Sequence, residues 1–283
     1  MNDESRAVLI TGCSSGIGRE TARHLAAKGW KVYATARRLE SIEDLKSEGC
    51  QTLPCDVTDE ASMAACVEAV EQAEGAVGVL VNNAGYSQSG AIEEVPLEAV
   101  RRQFETNVFG LIRMCQLVLP GMRNQGWGKI VNLSSIGGKL TFPGGGVYHA
   151  TKHAVEGLSD VLRFEVSAFG IDVIVIEPGL IKTKFAEAAV GSMAGALPTE
   201  GPYAAFNAAV GRETAGAYEG PLARLGGGPE TVARKIERAI SARRPRTRYA
   251  VTPSAGISLT ARKLTTDRMW DRAMETQFPR PGR

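Results

Sequence analysis

The chain has 283 residues, 43% of them hydrophobic and 23% charged, a globular balance that excludes a wholly disordered or fibrous architecture. Such a length suits one large α/β unit, since these sheets run to about 250 residues as single domains. With 33 basic against 31 acidic residues the formal charge is +2, too even for the electrostatic footprint of a nucleic-acid binder. Five cysteines (Cys13, Cys50, Cys55, Cys66, Cys115) form no CxxC pair, and their odd number points to reduced thiols in the cytoplasm. No stretch reaches the ~20 mostly apolar residues of a membrane span, and the acidic start is unlike a signal peptide. A cytoplasmic protein without a transmembrane segment is expected.

In chain order, the apolar runs Ala7 to Ile10, Lys31 to Thr35, Gln51 to Cys55 and Val77 to Val81 read as strands buried on both faces. Helical patterns separate them: Gly16 to Lys28, Leu39 to Glu48 and Asp59 to Glu74, each followed by glycine. Leu97 to Gln125 predicts one long helix or a bent pair, Lys129 to Leu133 a strand, Val147 to Phe169 a helix and Asp172 to Glu177 a strand. From residue 184 to 228 the sequence turns rich in Ala, Gly and Pro and reads as an irregular lid. Pro229 to Arg243 predicts a helix, Thr247 to Val251 a last strand and Ile257 to Thr276 a C-terminal helix, within an extension from residue 256 to 283. The alternation predicts a doubly wound parallel sheet, a Rossmann fold, as a single domain over residues 1–283.

The first strand leads into Thr11-Gly12-Cys13-Ser14-Ser15-Gly16-Ile17-Gly18. Glycines at such a turn let the backbone approach a pyrophosphate, and the helix start offers free N–H groups and its positive dipole end to that anion. Tyr148 and Lys152 are four residues apart, on one face of a helix. A cation there favours phenolate over phenol by ~1 to 3 pH units, moving the tyrosine towards general acid and base chemistry. Alone, the pair also reads as a surface Tyr and a solvated Lys. Ser135 follows the fifth strand at the end where open α/β sheets place ligands, and adjacent Ser134 competes for the same role.

The glycine turn, Asn82-Asn83-Ala84-Gly85, Asn107, Ser135, Tyr148-His149-Ala150-Thr151-Lys152 and Pro178-Gly179 together resemble the classical short-chain dehydrogenase/reductase family. The resemblance implies catalytic roles for Asn107, Ser135, Tyr148 and Lys152. Its thirteen-residue spacing to Tyr148 selects Ser135 over Ser134. It makes Asn107, otherwise a solvent-facing or backbone-bonded mid-helix residue, the support of a proton-relaying water. It also implies cofactor contacts at Gly12, Ser14, Ser15, Gly16, Ile17, Gly18, Asp56, Val57, Asn83, Ala84, Gly85, Tyr148, Lys152, Pro178, Gly179 and Thr183. Asn82 and Asn83 read equally as turn residues beside the ribose. Asp59 is better placed than Asp56 to cap the following helix, which frees Asp56 for the adenine amino group. A homodimer or homotetramer is implied as well.

Eighteen residues beyond Gly18 stands Ala36, where an NAD site usually carries an acid. Arg37 and Arg38 follow with guanidinium forks suited to a phosphate, so NADP is the expected cofactor; both arginines could otherwise simply solvate a helix start. The three histidines (His24, His149, His153) lie too far from cysteines for a zinc site, and no metal is expected. His149 reads as a helix-surface or cleft-wall residue. Phe185, Val190, Met193, Leu197, Tyr203, Phe206 and Val210 give the lid an apolar character, which suits a lipophilic alcohol or carbonyl. The start of the chain, the Tyr33-Ala34-Thr35-Ala36-Arg37-Arg38 strand end and the C-terminal Trp270 and Phe278 are similar to the hydroxysteroid and retinol dehydrogenase-like branch. Competing readings are a reductase of polar or sugar-like carbonyls, a non-catalytic NADP sensor, and apolar lid residues that only pack a cap.

Overall fold

The computed structural model describes residues 4–217, 219 and 221–282; residues 218 and 220 of the expected lid, and 1–3 and 283 at the ends, lie outside the described residues. The chain enters as β1 (Val8–Ile10), α1 (Gly16–Ala27) and β2 (Val32–Ala36), and a 3-10 helix over Leu39–Glu48 leads to β3 (Gln51–Pro54), α2 (Glu60–Glu74) and β4 (Val79–Asn82). Next come α3 (Leu97–Phe104), a π-helical turn over Glu105–Phe109, α4 (Gly110–Gln125), β5 (Gly128–Leu133), α5 (Gly146–Val166) and β6 (Ile171–Glu177). The last part comprises α6 (Phe185–Gly191), α7 (Ala204–Gly216), α8 (Pro229–Ser241), β7 (Arg248–Ala250), α9 (Pro253–Leu264) and α10 (Asp267–Met274).

Among the described residues the strands form one parallel sheet in the order β3-β2-β1-β4-β5-β6-β7, the doubly wound Rossmann arrangement. Alternation along β1 explains its two covered faces. Val8 and Ile10 pack with Leu25 of α1 and Val232, Ile236 and Ile240 of α8, while Leu9 packs with Val67 of α2, Met114 of α4 and Val155 of α5. The winding direction reverses between β1 and β4, and the turns beyond these strands part there to leave a crevice. No helix among the described residues is long and apolar enough to cross a membrane.

Local chemistry accounts for the element ends. Asp59 caps α2, its carboxylate accepting from the backbone N–H of Ala61 and Ser62, and Pro229 and Pro253 open α8 and α9. The long helical pattern after Leu97 is a pair joined by the π turn, a feature common at functional sites; it buries Asn107, which is 1% exposed. The expected irregular lid instead contains α6, α7 and a short 3-10 helix over Pro221–Leu225, because its alanines favour helix once an apolar face is available. The C-terminal helix is likewise two helices. Its break falls at Thr265-Thr266, where the Thr266 hydroxyl caps α10 by accepting from Met269 N.

His149 on α5 ties down the loop after β5. Phe142 N donates to its Nε2 at 3.1 Å, which leaves the proton on Nδ1 to donate to Gly137 O, also 3.1 Å. Burial pushes the ring pKa down to about 4, against a partly compensating bond to Gly137. In the unfolded chain an imidazole titrates near ~6.5, so between these values the unfolded state binds more protons and this residue costs stability as pH falls. Denaturant titrations should show the wild type losing stability relative to His149→Gln between pH ~6.5 and ~4. A parallel loss in both proteins would place the acid sensitivity elsewhere.

Candidate active site

A cavity of about 1310 Å³ opens beyond the carboxyl ends of the central strands. At one end, Gly12, Ser14, Ser15, Gly16 and Ile17 of the β1–α1 turn form its wall. Gly12 holds φ +74°, and a Cβ there would stand 2.8 Å from Ala84 Cα. One at Gly18 would stand 2.3 Å from Asn83 Nδ2 and 2.6 Å from Gly12 O. Only glycine at both positions allows the turn to close on the end of β4, where Asn83 Nδ2 donates to Thr11 O (2.9 Å) and Ala84 N donates to Thr11 Oγ1 (3.0 Å). Gly18 therefore sits behind the cavity wall, not on it. Ser15 starts α1 without a side-chain cap and the first turn holds no acid, so its N–H groups and dipole are available to an anion.

Asp56, Val57, Asn83, Ala84, Gly85 and Arg37 line the same end. Asp56 accepts from Thr58 N (3.0 Å) and Thr58 Oγ1 (2.8 Å), which fixes its carboxylate at the wall. Arg37 is exposed and has no carboxylate partner among the described residues. Arg38 stands outside the lining and precedes the 3-10 helix, its carbonyl accepting from Ser41. Asn82 turns away into the core, where Nδ2 donates to Asn132 Oδ1 at 3.0 Å.

Tyr148, Lys152 and Ser135 meet at the middle of the cavity. Lys152 Nζ lies 5.8 Å from the Tyr148 ring centroid and donates to Leu133 O at 2.7 Å. The Ser135 Oγ accepts from Gly137 N at 3.0 Å, leaving its O–H to donate towards the cavity. Ser134, its competitor in the sequence, is 4% exposed and faces Gly138; its hydroxyl is buried without a hydrogen-bond partner among the described residues. Asn107 lies behind the wall. Its Oδ1 accepts from Tyr86 N (3.1 Å), and its Nδ2 donates to Tyr86 O (3.0 Å) and Thr151 Oγ1 (3.1 Å). Thr151 in turn donates to Tyr148 O at 2.7 Å. Tyr86 is a contributor that no motif signals, whereas Thr151 and His149 stand inside the Tyr148–Lys152 motif, where the sequence assigns Thr151 no role of its own.

Burial pushes the Lys152 pKa down to about 8, and the Glu156 carboxylate one turn along α5 opposes that fall. Glu156 is itself 3% exposed and is paired with Lys139 and Arg248, both at 2.9 Å. Arg248 also bonds Asp160 (2.7 Å) and lies 3.6 Å from Glu177. Desolvation first, and then the charge of Glu156, push the Glu177 pKa up to about 7.

Pro178, Gly179 and Thr183 lead from β6 along the wall into α6, whose Phe185 stands edge-on to the Tyr148 ring at 5.4 Å. Val210 of α7 also lines the cavity. Leu197 and Tyr203 do not: Leu197 joins a small cluster with Val95, Ala99 and Val147, and the Tyr203 hydroxyl donates to Glu93. Among the described residues no cluster of His, Cys, Asp and Glu could hold a metal.

The family described as short chain dehydrogenase matches residues 6–194. The 3-ketodihydrosphingosine reductase of Bacteroides thetaiotaomicron is 42% identical over 185 residues, 65% of this chain and 67% of that one. The NADPH-dependent 3-dehydrocapnine reductase of Ornithobacterium rhinotracheale is 34% identical over 278 residues, 94% of this chain and 95% of that one. Among solved structures, a short-chain dehydrogenase from Streptomyces avermitilis superposes with a TM-score of 0.78 at 35% identity, covering 97% of this chain and 96% of that one. The family match over residues 6–194, a range that spans the glycine turn and the Tyr148–Lys152 helix, together with likenesses over nearly the whole chain, shows that the chain belongs to the short-chain dehydrogenase family of oxidoreductases.

Proposed function

We propose that the protein is an NADP(H)-dependent oxidoreductase that interconverts a lipophilic alcohol and its carbonyl. The observation that carries this reading is one cavity with Tyr148, Lys152 and Ser135 at its middle and the glycine turn with unpaired Arg37 at one end. The α1 start suits a pyrophosphate, Asp56 the adenine side, Arg37 a 2'-phosphate, and Pro178, Gly179 and Thr183 the nicotinamide end. When bound, the dinucleotide supplies a hydride to the carbonyl carbon or takes one from the alcohol. Ser135 donates a hydrogen bond to the substrate oxygen, and the Tyr148 hydroxyl delivers the proton to that oxygen or receives it back. The Lys152 ammonium favours the negative charge that develops on the tyrosine oxygen as its proton leaves. Asn107, through Thr151 and Tyr86, holds the helix turn carrying Tyr148 in register.

The substrate class rests on what surrounds Tyr148 away from Arg37: Phe185, Phe142, Val210 and Phe278 line the cavity there, and the charged lid residues in the lining are Lys184 and Glu213. Likeness to a relative named as a 3-ketodihydrosphingosine reductase supports the same reading.

Tyr148→Phe should lower kcat by about 100- to 10,000-fold while NADPH still binds, because only the transferable proton is removed. A variant keeping more than about a tenth of wild-type kcat would overturn the assignment. For the cofactor, fluorescence titration should show NADPH binding more tightly than NADH, and Arg37→Ala should narrow that gap by roughly 10- to 150-fold. Equal wild-type affinities would remove NADP from the reading. With straight-chain 2-ketones of increasing length, kcat/KM should climb by up to about fourfold per methylene. A flat or falling profile would defeat the lipophilic substrate.

A further inference from the structure

The cavity around Tyr148 does not end at the lid. Phe142, Pro143 and Phe278 line it and equally line a second cavity of about 460 Å³, so the two adjoin across these side chains. On the far side stand Phe206 of α7 and Trp270 of α10. The Phe278 ring lies 6.5 Å from Phe206 and the Phe142 ring 6.0 Å from Trp270, both pairs tilted. Trp270 Nε1 donates to Thr141 O at 2.9 Å, which satisfies the indole's polar atom and leaves hydrocarbon surface. The charged residues of this second cavity, Asp271, Glu275 and Arg280, are exposed, and Arg280 is already paired with Glu275. The interior is therefore apolar and the rim ionic, with no spare cation to bind an acid group.

We infer that the second cavity is a subsite for the distal end of a hydrocarbon chain, and that Phe278 sets the length of chain the enzyme accepts; this rests on the reading of Tyr148 and Lys152 as the reacting end. The glycine turn and Arg37 line the main cavity alone, whereas Phe142, Pro143 and Phe278 line both cavities, so a chain attached to a carbonyl at Tyr148 reaches the second cavity past Phe185 towards Phe142 and Phe278. Those two rings form the partition it meets. Phe278 follows α10 in a stretch without regular structure and is half-buried, its ring tilted against Phe206, so it is the side chain of this partition that a longer chain displaces. A short substrate ends before this partition, and a long one passes it and gains the surfaces of Phe206 and Trp270.

The test measures kcat/KM for straight-chain 2-ketones of increasing length, followed by NADPH absorbance, in wild type, Phe278→Trp and Phe278→Ala. Melting temperature and NADPH binding confirm that each variant is folded. With the bulkier ring the ratio of long- to short-ketone kcat/KM should fall about tenfold, the scale of overfilling a packed site. With alanine the length at which kcat/KM levels off should move upward. The inference stands if the bulkier ring lowers the ratio by about tenfold or alanine moves the plateau to longer chains, and a ratio that rises with the bulkier ring overturns it. It is overturned if the wild-type profile rises with length and both variants reproduce it, an outcome that leaves the proposed function intact. A wild-type profile that never rises overturns both.

Discussion

A protonated amine kept out of water is the constraint on which the rest of the site depends. Lys152 is 6% exposed, and an isolated ammonium in such a place would surrender its proton. Its charge is held by the Leu133 carbonyl at 2.7 Å, by the Glu156 carboxylate and by the face of the Tyr148 ring. Leu133 is the last residue of β5 and pairs in register with Ile176 of β6, so the sheet itself fixes the carbonyl that receives the amine. The balance leaves the pKa near about 8: the charge is retained at neutral pH but weakly hydrated, which makes it effective at short range.

Glu156 can stabilise Lys152 only because its own burial is compensated. Lys139 after β5 and Arg248 on β7 supply that compensation, and Arg248 is itself oriented by Asp160 one turn beyond Glu156. The last strand of the sheet thus reaches the centre through a sequence of charges along α5. The same helix presents Tyr148 and His149 to the cavity, Thr151 to Asn107 and Ser159 to Asn132. One 21-residue helix therefore sets the positions of most polar groups on this side of the site. Its rotation or sliding would break contacts with β5, β7 and the π turn together, which makes its placement cooperative rather than adjustable residue by residue.

The strands, the glycine turn and the Tyr148–Lys152 pair were legible in the sequence because each depends on local periodicity or spacing. Asp59 as the cap of α2 was legible for the same reason. Asn82 was not: its neighbour Asn83 faces the β1–α1 turn, while alternation along the strand end sends Asn82 into the core against Asn132, a residue fifty positions away. Arg37 and Arg38 diverge similarly, since consecutive residues leaving a strand point in opposite directions. His149 read as a helix-surface or cleft-wall residue and lines the cavity, but its two bonds go to the backbone of a loop, which no side-chain pattern announces. The lid helices were missed since their composition is weakly amphipathic, and their existence depends on the surface they cover. The break between α9 and α10 is a cap whose threonines read as ordinary helix surface until the turn is formed.

The two ends of the cavity are made from different materials. The end with Gly12 and Asn83 is made largely of backbone, closed by glycines whose neighbours leave no room for a Cβ. It tolerates little change, and it belongs to the first 85 residues, where local sequence dictates structure. The other end is made of side chains from α6, α7 and the residues after α10, which touch the sheet less and rely on aromatic contacts with one another. A substitution there alters the shape of the cavity away from the Lys152 charge, whose supports lie in β5, the loop after it, α5 and β7. Under the proposed function, chemistry and selectivity fall to separate parts of the chain, the first to short motifs and the second to the packing of a few late side chains.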